Sequence, residues 1–226
     1  VPGAHVDPFM EIVSADPRFR LVLATHEQGA AYMADGYARF REKASAVICI
    51  GGPGATNLTT AAVTARLDRS PVFYLTGDVP NQLSSAGGFQ SSGPLDSNSV
   101  AILREALQFS VHVSRVDALP SVLDEAEARL LGRPCGPFHI CIPVDVARAP
   151  LLMTSGCEAH RLDPSPSTPL AKHLNRVDRC AVFVGEEVSR RADRERLAAI
   201  CCFHRLPVAS TMEAMAVQAL LPRELR

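Results

Sequence analysis

One carboxylate and one side-chain-poor turn carry the chemical content of the segment Thr25 to Asn57, THEQGAAYMADGYARFREKASAVICIGGPGATN. Glu27 stands at the mouth of a segment with helical spacing, where an acid can hold or donate a proton. Gly51-Gly52-Pro53-Gly54 follows the next apolar run, and a turn of that composition lets a ligand approach the backbone closely. Taken singly, each has a plainer reading. A first-turn glutamate interacts favourably with the helix dipole whatever else it does. The glycine turn could cradle a phosphate, but it lacks the GxxxxGK[ST] lysine and the full GxGxxG spacing.

The elements that must position these residues are legible around them. Ala30, Ala31, Ala34, Tyr37 and Ala38 recur every three to four residues, so a stripe of mostly small side chains is expected to lie close against a sheet. Ala46 to Ile50 is a short continuous apolar run, as in a strand covered on both faces. Ala55 to Arg66 reads as the next helix, rich in alanine and threonine. Strand, glycine turn and helix in that order place the turn at the carboxyl edge of a parallel sheet, where ligands of α/β proteins bind. Further strands are expected at Arg20 to Thr25, Val72 to Thr76 and Phe138 to Ile142, and helices at Asp7 to Ser14 and Asp117 to Leu131. Asn81 to Asn98 is polar and rich in glycine and serine, and is expected to be a long mobile loop.

HEQGAAYMADGYAR, then GGPGATN, then PVFYLTGDVP, in that order, resemble the pyrimidine-binding domain of thiamine diphosphate-dependent enzymes, the group containing acetolactate synthase, pyruvate oxidase and related 2-oxo acid decarboxylases. Residues 1–150 carry the resemblance well, closing with Pro143-Val144-Asp145-Val146. It implies an open parallel sheet flanked by helices, followed by the beginning of a second, Rossmann-like α/β domain. It also implies that Glu27 hydrogen-bonds a ring nitrogen of the aminopyrimidine, favouring the tautomer that activates the thiazolium carbon. Gly52, Pro53, Gly54 and Asn57 would shape the pyrimidine pocket, although Asn57 reads equally well as a helix-start residue. Phe89 and Gln90 match a pair directed toward the substrate or cofactor. His26 is a secondary candidate, read first as a packing or hydrogen-bonding residue at the helix start.

The resemblance also shows departures. Gly52 replaces a serine, which is expected to loosen the turn and remove a hydroxyl, and Ser91 replaces an acidic residue. Gln108 stands where acetolactate synthases have lysine, and Phe109 where they have histidine. Relatives carry a strand and a helix before Val1-Pro2-Gly3, so the chain is expected to lack the first strand and helix of the domain. Residues 151–175 read as a linker and 176–226 as an incomplete central domain, with strands at Cys180 to Val184 and Pro207 to Ser210 and a helix at Arg190 to Phe203. Gly185-Glu186-Glu187 replaces a three-glycine turn, and two carboxylates beside a flavin diphosphate count against FAD. The GDG segment with downstream asparagines, which in this family holds Mg2+ and the cofactor diphosphate, does not occur in the sequence. That module is expected on another region or polypeptide.

Composition narrows the classes further. The 226 residues are 47% hydrophobic with a net charge of -1, enough for one core and part of another and without a basic block for nucleic acid. No apolar run approaches the roughly 20 residues of a spanning helix. Seven cysteines without paired CxxC spacing argue against a zinc or disulfide framework. Cys49, Cys141 and Cys180 fall in apolar strand-like runs as small buried hydrophobes, and Cys201-Cys202 in a helix. With no signal peptide, a reducing cytoplasm is expected. Three functions remain: the pyrimidine-binding part of a lyase or transferase acting on a 2-oxo acid, working as a homodimer or homotetramer; a catalytically silent relative with an assembly or regulatory role; and a nucleotide-binding module using Gly51 to Gly54.

Overall fold

The computed structural model describes residues 2–132, 134–151, 180–185, 188, 191–212 and 214–226. The chain divides into two compact units, Val1–His160 and Arg161–Arg226. Apart from Leu151, the expected linker 151–175 lies outside the described residues, and so do Glu186 and Glu187 of the turn that bears on FAD.

The first unit is an α/β sheet flanked by helices. In chain order its elements are α1 (Asp7–Ala15), α2 (Glu27–Arg41), β1 (Ser45–Ile50), α3 (Pro53–Asn57), α4 (Thr59–Leu67), β2 (Val72–Asp78), α5 (Ser99–Leu107), β3 (Ser110–His112), α6 (Leu119–Leu131), β4 (Phe138–Pro143) and α7 (Val144–Ala147). The four strands run parallel in the order β1-β2-β4-β3. One face packs on α2, α4 and α5, where Ala31, Ala34, Ala38, Ala61, Ala62 and Ala65 are buried against Val47, Cys49, Val72 and Tyr74. These alanines keep the helices close to each other and to the sheet, and they lose no side-chain entropy on burial. The other face buries Leu75, Ile140 and Ile142 against Phe9, Leu119, Val122 and Ala147.

Several expectations are corrected. Arg20 to Thr25 forms no strand, and Leu21, Val22 and Leu23 are exposed. A run with strand composition needs a ladder partner, and among the described residues none lies beside it. The helix expected over Ala55 to Arg66 begins at Pro53, whose fixed φ suits a first turn, and breaks at Leu58 into α3 and α4. Strand β2 runs two residues past its expected end, through Gly77 and Asp78. The short strand β3 was not foreseen. Tyr37, placed on the sheet-facing stripe, is 51% exposed, because the buried side of α2 runs through Ala31, Ala34, Asp35 and Ala38.

In the second unit, β5 (Val182–Val184) and β6 (Val208–Ser210) pair in parallel, with α8 (Arg191–His204) between them in sequence and α9 (Met215–Ala219) after them. Its core contains Val184, Ala198, Cys201, Val208, Val217 and Leu221. Cys201 is buried in it, whereas Cys180 lies before the strand and is half-buried.

A polar row crosses the helix-covered face of the first unit's sheet. His139 on β4 is fully buried between Thr76 and Ser110, its Nε2 2.9 Å from the Thr76 hydroxyl and its Nδ1 2.6 Å from that of Ser110. Ser110 donates its own proton to the carbonyl of Val100 at 2.8 Å. It must therefore accept from Nδ1–H, which leaves Nε2 to accept from Thr76 and makes the imidazole neutral. Burial, with His112 nearby, lowers the His139 pKa from 6.5 to about 3. Between those values the unfolded chain binds the proton that the fold excludes, so stability falls as the pH drops from 6.5 toward about 3. In urea titrations across that window, His139→Gln should show a flatter dependence of stability on pH than the wild type. Equal slopes would mean that His139 is protonated inside the fold.

Candidate functional site

The site forms where β1 ends and α2 begins. His26 is the N-cap of α2, extended at φ -148° and ψ 141°, with Nδ1 accepting from the backbone N–H of Gln28 at 3.2 Å. This is the hydrogen-bonding role expected of it, and it leaves Glu27 as the first helical residue. Glu27 is half-buried, and its Oε2 accepts from the Asn57 amide at 3.0 Å. Its Oε1 lies 3.5 Å from the point where a Cβ on Gly54 would stand, so the carboxyl group sits directly beside the turn; the same point is 2.8 Å from Ile50 Cγ2, which is what requires a residue without a side chain there. The acid and the far end of the glycine turn, 30 residues apart in sequence, thus meet directly.

The turn itself is held from the other side. Gly51 donates to the Gly77 carbonyl at 2.6 Å, tying the end of β1 to β2. Gly52 has φ 60° and ψ -122°, and a Cβ on it would stand 2.8 Å from the Cα of Gln90. Both the dihedral and the contact require glycine at that position. The expected loosening by Gly52 is therefore not seen: the Gly52 N–H donates to the Ser92 hydroxyl at 3.2 Å, and Gln90 covers the turn. Pro53 is exposed and Gly54 buried, at the start of α3.

Not every expected site residue converges. Gln90 touches the turn through its backbone, itself at φ 67°. Phe89 is 81% exposed. Gln108 caps α5 in the left-handed region and precedes the amino end of β3, whereas the glycine turn follows the carboxyl end of β1. In a parallel sheet these are opposite edges. Phe109 stacks with Phe138 at 6.3 Å between centroids and lies 3.5 Å beneath the Arg129 guanidinium, a packing role.

Two residues that sequence reasoning passed over organise the site. Asp78 is buried, and its Oδ1 accepts from the backbone N–H groups of Val79 at 2.8 Å and Ser92 at 2.9 Å. Its Oδ2 accepts from His112 Nε2 at 3.3 Å and faces the Cys141 thiol at 3.8 Å. Burial pushes the Asp78 carboxyl up, but the His112 and backbone hydrogen bonds together outweigh it and hold the pKa below the ordinary value. Ser92 bridges this carboxylate to Gly52. The available signal was parity: Tyr74, Thr76 and Asp78 alternate along one face of a strand.

Comparisons with known proteins give the family. Residues 1–100 match the model of the thiamine pyrophosphate enzyme, N-terminal TPP binding domain. The mitochondrial acetolactate synthase catalytic subunit of Saccharomyces cerevisiae is 34% identical over 200 residues, covering 87% of this chain and 27% of that protein. The acetolactate synthase isozyme 1 large subunit of Escherichia coli is 31% identical over 230 residues, covering 99% of this chain and 39% of that protein. The chain belongs to the thiamine diphosphate-dependent enzyme family. Within that family it is acetolactate synthase-like and carries the N-terminal, pyrimidine-binding domain. The crystal structure of an enzyme assigned as thiamin diphosphate-dependent, from Mycobacterium smegmatis, superposes with a TM-score of 0.76 at 22% identity, covering 93% of this chain and 40% of that one. That likeness bears on the fold. The chain spans about a quarter to two fifths of the length of these curated relatives.

Gly52→Ala should cost about 1–3 kcal/mol of stability, because the new methyl group meets both an unfavourable φ and the Gln90 backbone. Urea denaturation of the variant checks this, and an unchanged midpoint would show that the turn relaxes freely.

Proposed function

We propose that this chain is the pyrimidine-binding part of a thiamine diphosphate-dependent lyase or transferase of the acetolactate synthase type, acting on a 2-oxo acid. The observation that carries the reading is the Glu27 carboxylate, half-buried, held by Asn57 and set beside Gly54. These residues fit the pyrimidine end of the cofactor: a carboxyl oxygen for a ring nitrogen, and a glycine surface against which a flat ring can lie. When bound, thiamine diphosphate supplies the carbanion chemistry that releases carbon dioxide from a 2-oxo acid.

The chain's own contribution is positional and protonic. Glu27 holds or yields a proton at Oε1, Asn57 fixes the carboxyl plane through Oε2, and Gly52, Pro53 and Gly54 present backbone to the ring. Mg2+ and the diphosphate are proposed to be held by a diphosphate-binding domain supplied by another region or polypeptide, in a protein of the reducing cytoplasm. FAD has no part in this reading, and Phe89 and Gln90 are kept only as residues near a substrate channel. Among the described residues, no helix is long and apolar enough to cross a membrane.

The intact gene product carrying this chain, assayed for thiamine-dependent decarboxylation of pyruvate, should lose roughly a hundredfold to ten-thousandfold in kcat with Glu27→Gln, the range for a proton-transferring group. Unchanged turnover would favour the second reading, a catalytically silent domain with an assembly or regulatory role. That alternative draws on Ser91, which is buried with its hydroxyl accepting from Gly93 N–H where relatives place an acid.

A homodimer or homotetramer is part of the proposal. Met33, Tyr37 and Phe40 stand on the outer side of α2, with Phe40 85% exposed, beginning two turns from Glu27. An exposed apolar line on the helix that begins with Glu27 suits a subunit contact. Phe40→Glu should weaken self-association by about 2 kcal/mol, as expected of a central anchor. Sedimentation equilibrium showing no change would remove α2 from the interface.

A further inference from the structure

Asp78, His112 and Cys141 converge on the helix-covered face of the sheet, outside the Glu27 site. The convergence follows from register. Cys141 on β4 pairs with Thr76 on β2 and with His112 on β3, and Asp78 lies two residues beyond Thr76 on the same face. Their ligand-type atoms all lie within 4.8 Å of one another.

We propose that these three side chains form a binding site for a first-row divalent ion of the Zn2+ class. The two separations made by Asp78 are close to those around such an ion, and the third is within 4.8 Å. At zinc bond lengths, tetrahedral oxygen and nitrogen ligands stand about 3.4 Å apart, and oxygen and sulfur about 3.6 Å apart. Here Asp78 Oδ2 lies 3.3 Å from His112 Nε2 and 3.8 Å from Cys141 Sγ. On binding, the Cys141 thiol releases its proton to solvent, and His112 coordinates through Nε2 as the neutral imidazole that carries its proton on Nδ1.

The surroundings also resemble a built site. Two backbone N–H groups on Oδ1 orient the carboxylate, as outer partners of metal ligands do. Cys141 is fixed within β4 and Asp78 at the end of β2. The His112 side chain is 26% exposed, so the ion has a route in and the ring has room to adjust. A set of one oxygen, one nitrogen and one sulfur suits Zn2+ and does not suit Mg2+, which demands oxygen ligands. The site is thus separate in chemistry from the magnesium of the cofactor. The sequence could not show it, since the ligands lie on three strands with no paired cysteine spacing. Loading it would brace Ser92 and, through Ser92, the Gly52 N–H.

The test is a titration of the chelator-stripped chain with Zn2+ in competition with a chromophoric chelator, and with Co2+ followed by absorbance. One equivalent per chain is expected, with a thiolate-to-cobalt charge-transfer band that excess Mg2+ leaves intact. Because loss of an outer partner alone costs about 10- to 100-fold in affinity, His112→Gln should cost about 100-fold or more. Cys141→Ser should lose the charge-transfer band, while Cys135→Ser, at a half-buried thiol elsewhere, keeps it. The proposal is overturned by a wild-type chain that takes up no ion under competition. It is equally overturned by a folded His112→Gln variant that binds as the wild type does. Neither outcome depends on whether Glu27 handles a proton.

Discussion

The buried carboxylate of Asp78 is the constraint on which the rest of the first unit depends. A carboxylate without solvent must be satisfied by donors, and Asp78 takes two from backbone and faces two side chains. Those donors come from the end of β2, from the loop after it, from β3 and from β4. One charge therefore fixes where three strands and a long loop meet. Ser92, held by its N–H to Asp78, offers its hydroxyl to Gly52, and so the position of the glycine turn is set from beneath. The loop from Asn81 to Asn98 is pinned elsewhere as well: Asn81 bonds Asp145 and the Ser114 carbonyl, and Asp96 accepts from Ser85 and Gly87.

Above that foundation, the Glu27 site is assembled by close approach. Alanines on α2 and α4 allow both helices to lie near the sheet, which brings the first residue of α2 within hydrogen-bonding distance of the last residue of α3. The glycines act by what they lack. Gly77 is required because the His5 carbonyl passes 2.2 Å from where its Cβ would be, and Gly51 because the Gly77 carbonyl and Ser92 hydroxyl occupy the corresponding space. The turn is confined for this reason: neighbouring backbone or hydroxyl groups fill the space at Gly51 and Gly52, and the Ile50 side chain fills it at Gly54.

Much of this was legible in the sequence because the relevant signals are local. A continuous apolar run gave β1, the alanine spacing gave the buried side of α2, and an ordered set of motifs gave the family and the pairing of Glu27 with the glycine turn. What was not legible depends on register between distant strands. Asp78 sits in a TGDVP segment that has turn composition, yet it continues β2, and nothing nearby announces that His112 and Cys141 will align with it. Strand β3 is three residues long and too short for periodicity to reveal. Arg20 to Thr25 failed in the opposite way, since strand composition states a preference for pairing and does not supply the partner. Asn57 is not the helix-start residue of its plainer reading: it closes α3, and its amide holds Glu27.

β1 lies at one end of the strand order, with β2 on one side and no described strand on the other. An end strand is the position at which a sheet can accept a further strand, and Leu21, Val22 and Leu23 add exposed apolar surface to the same unit.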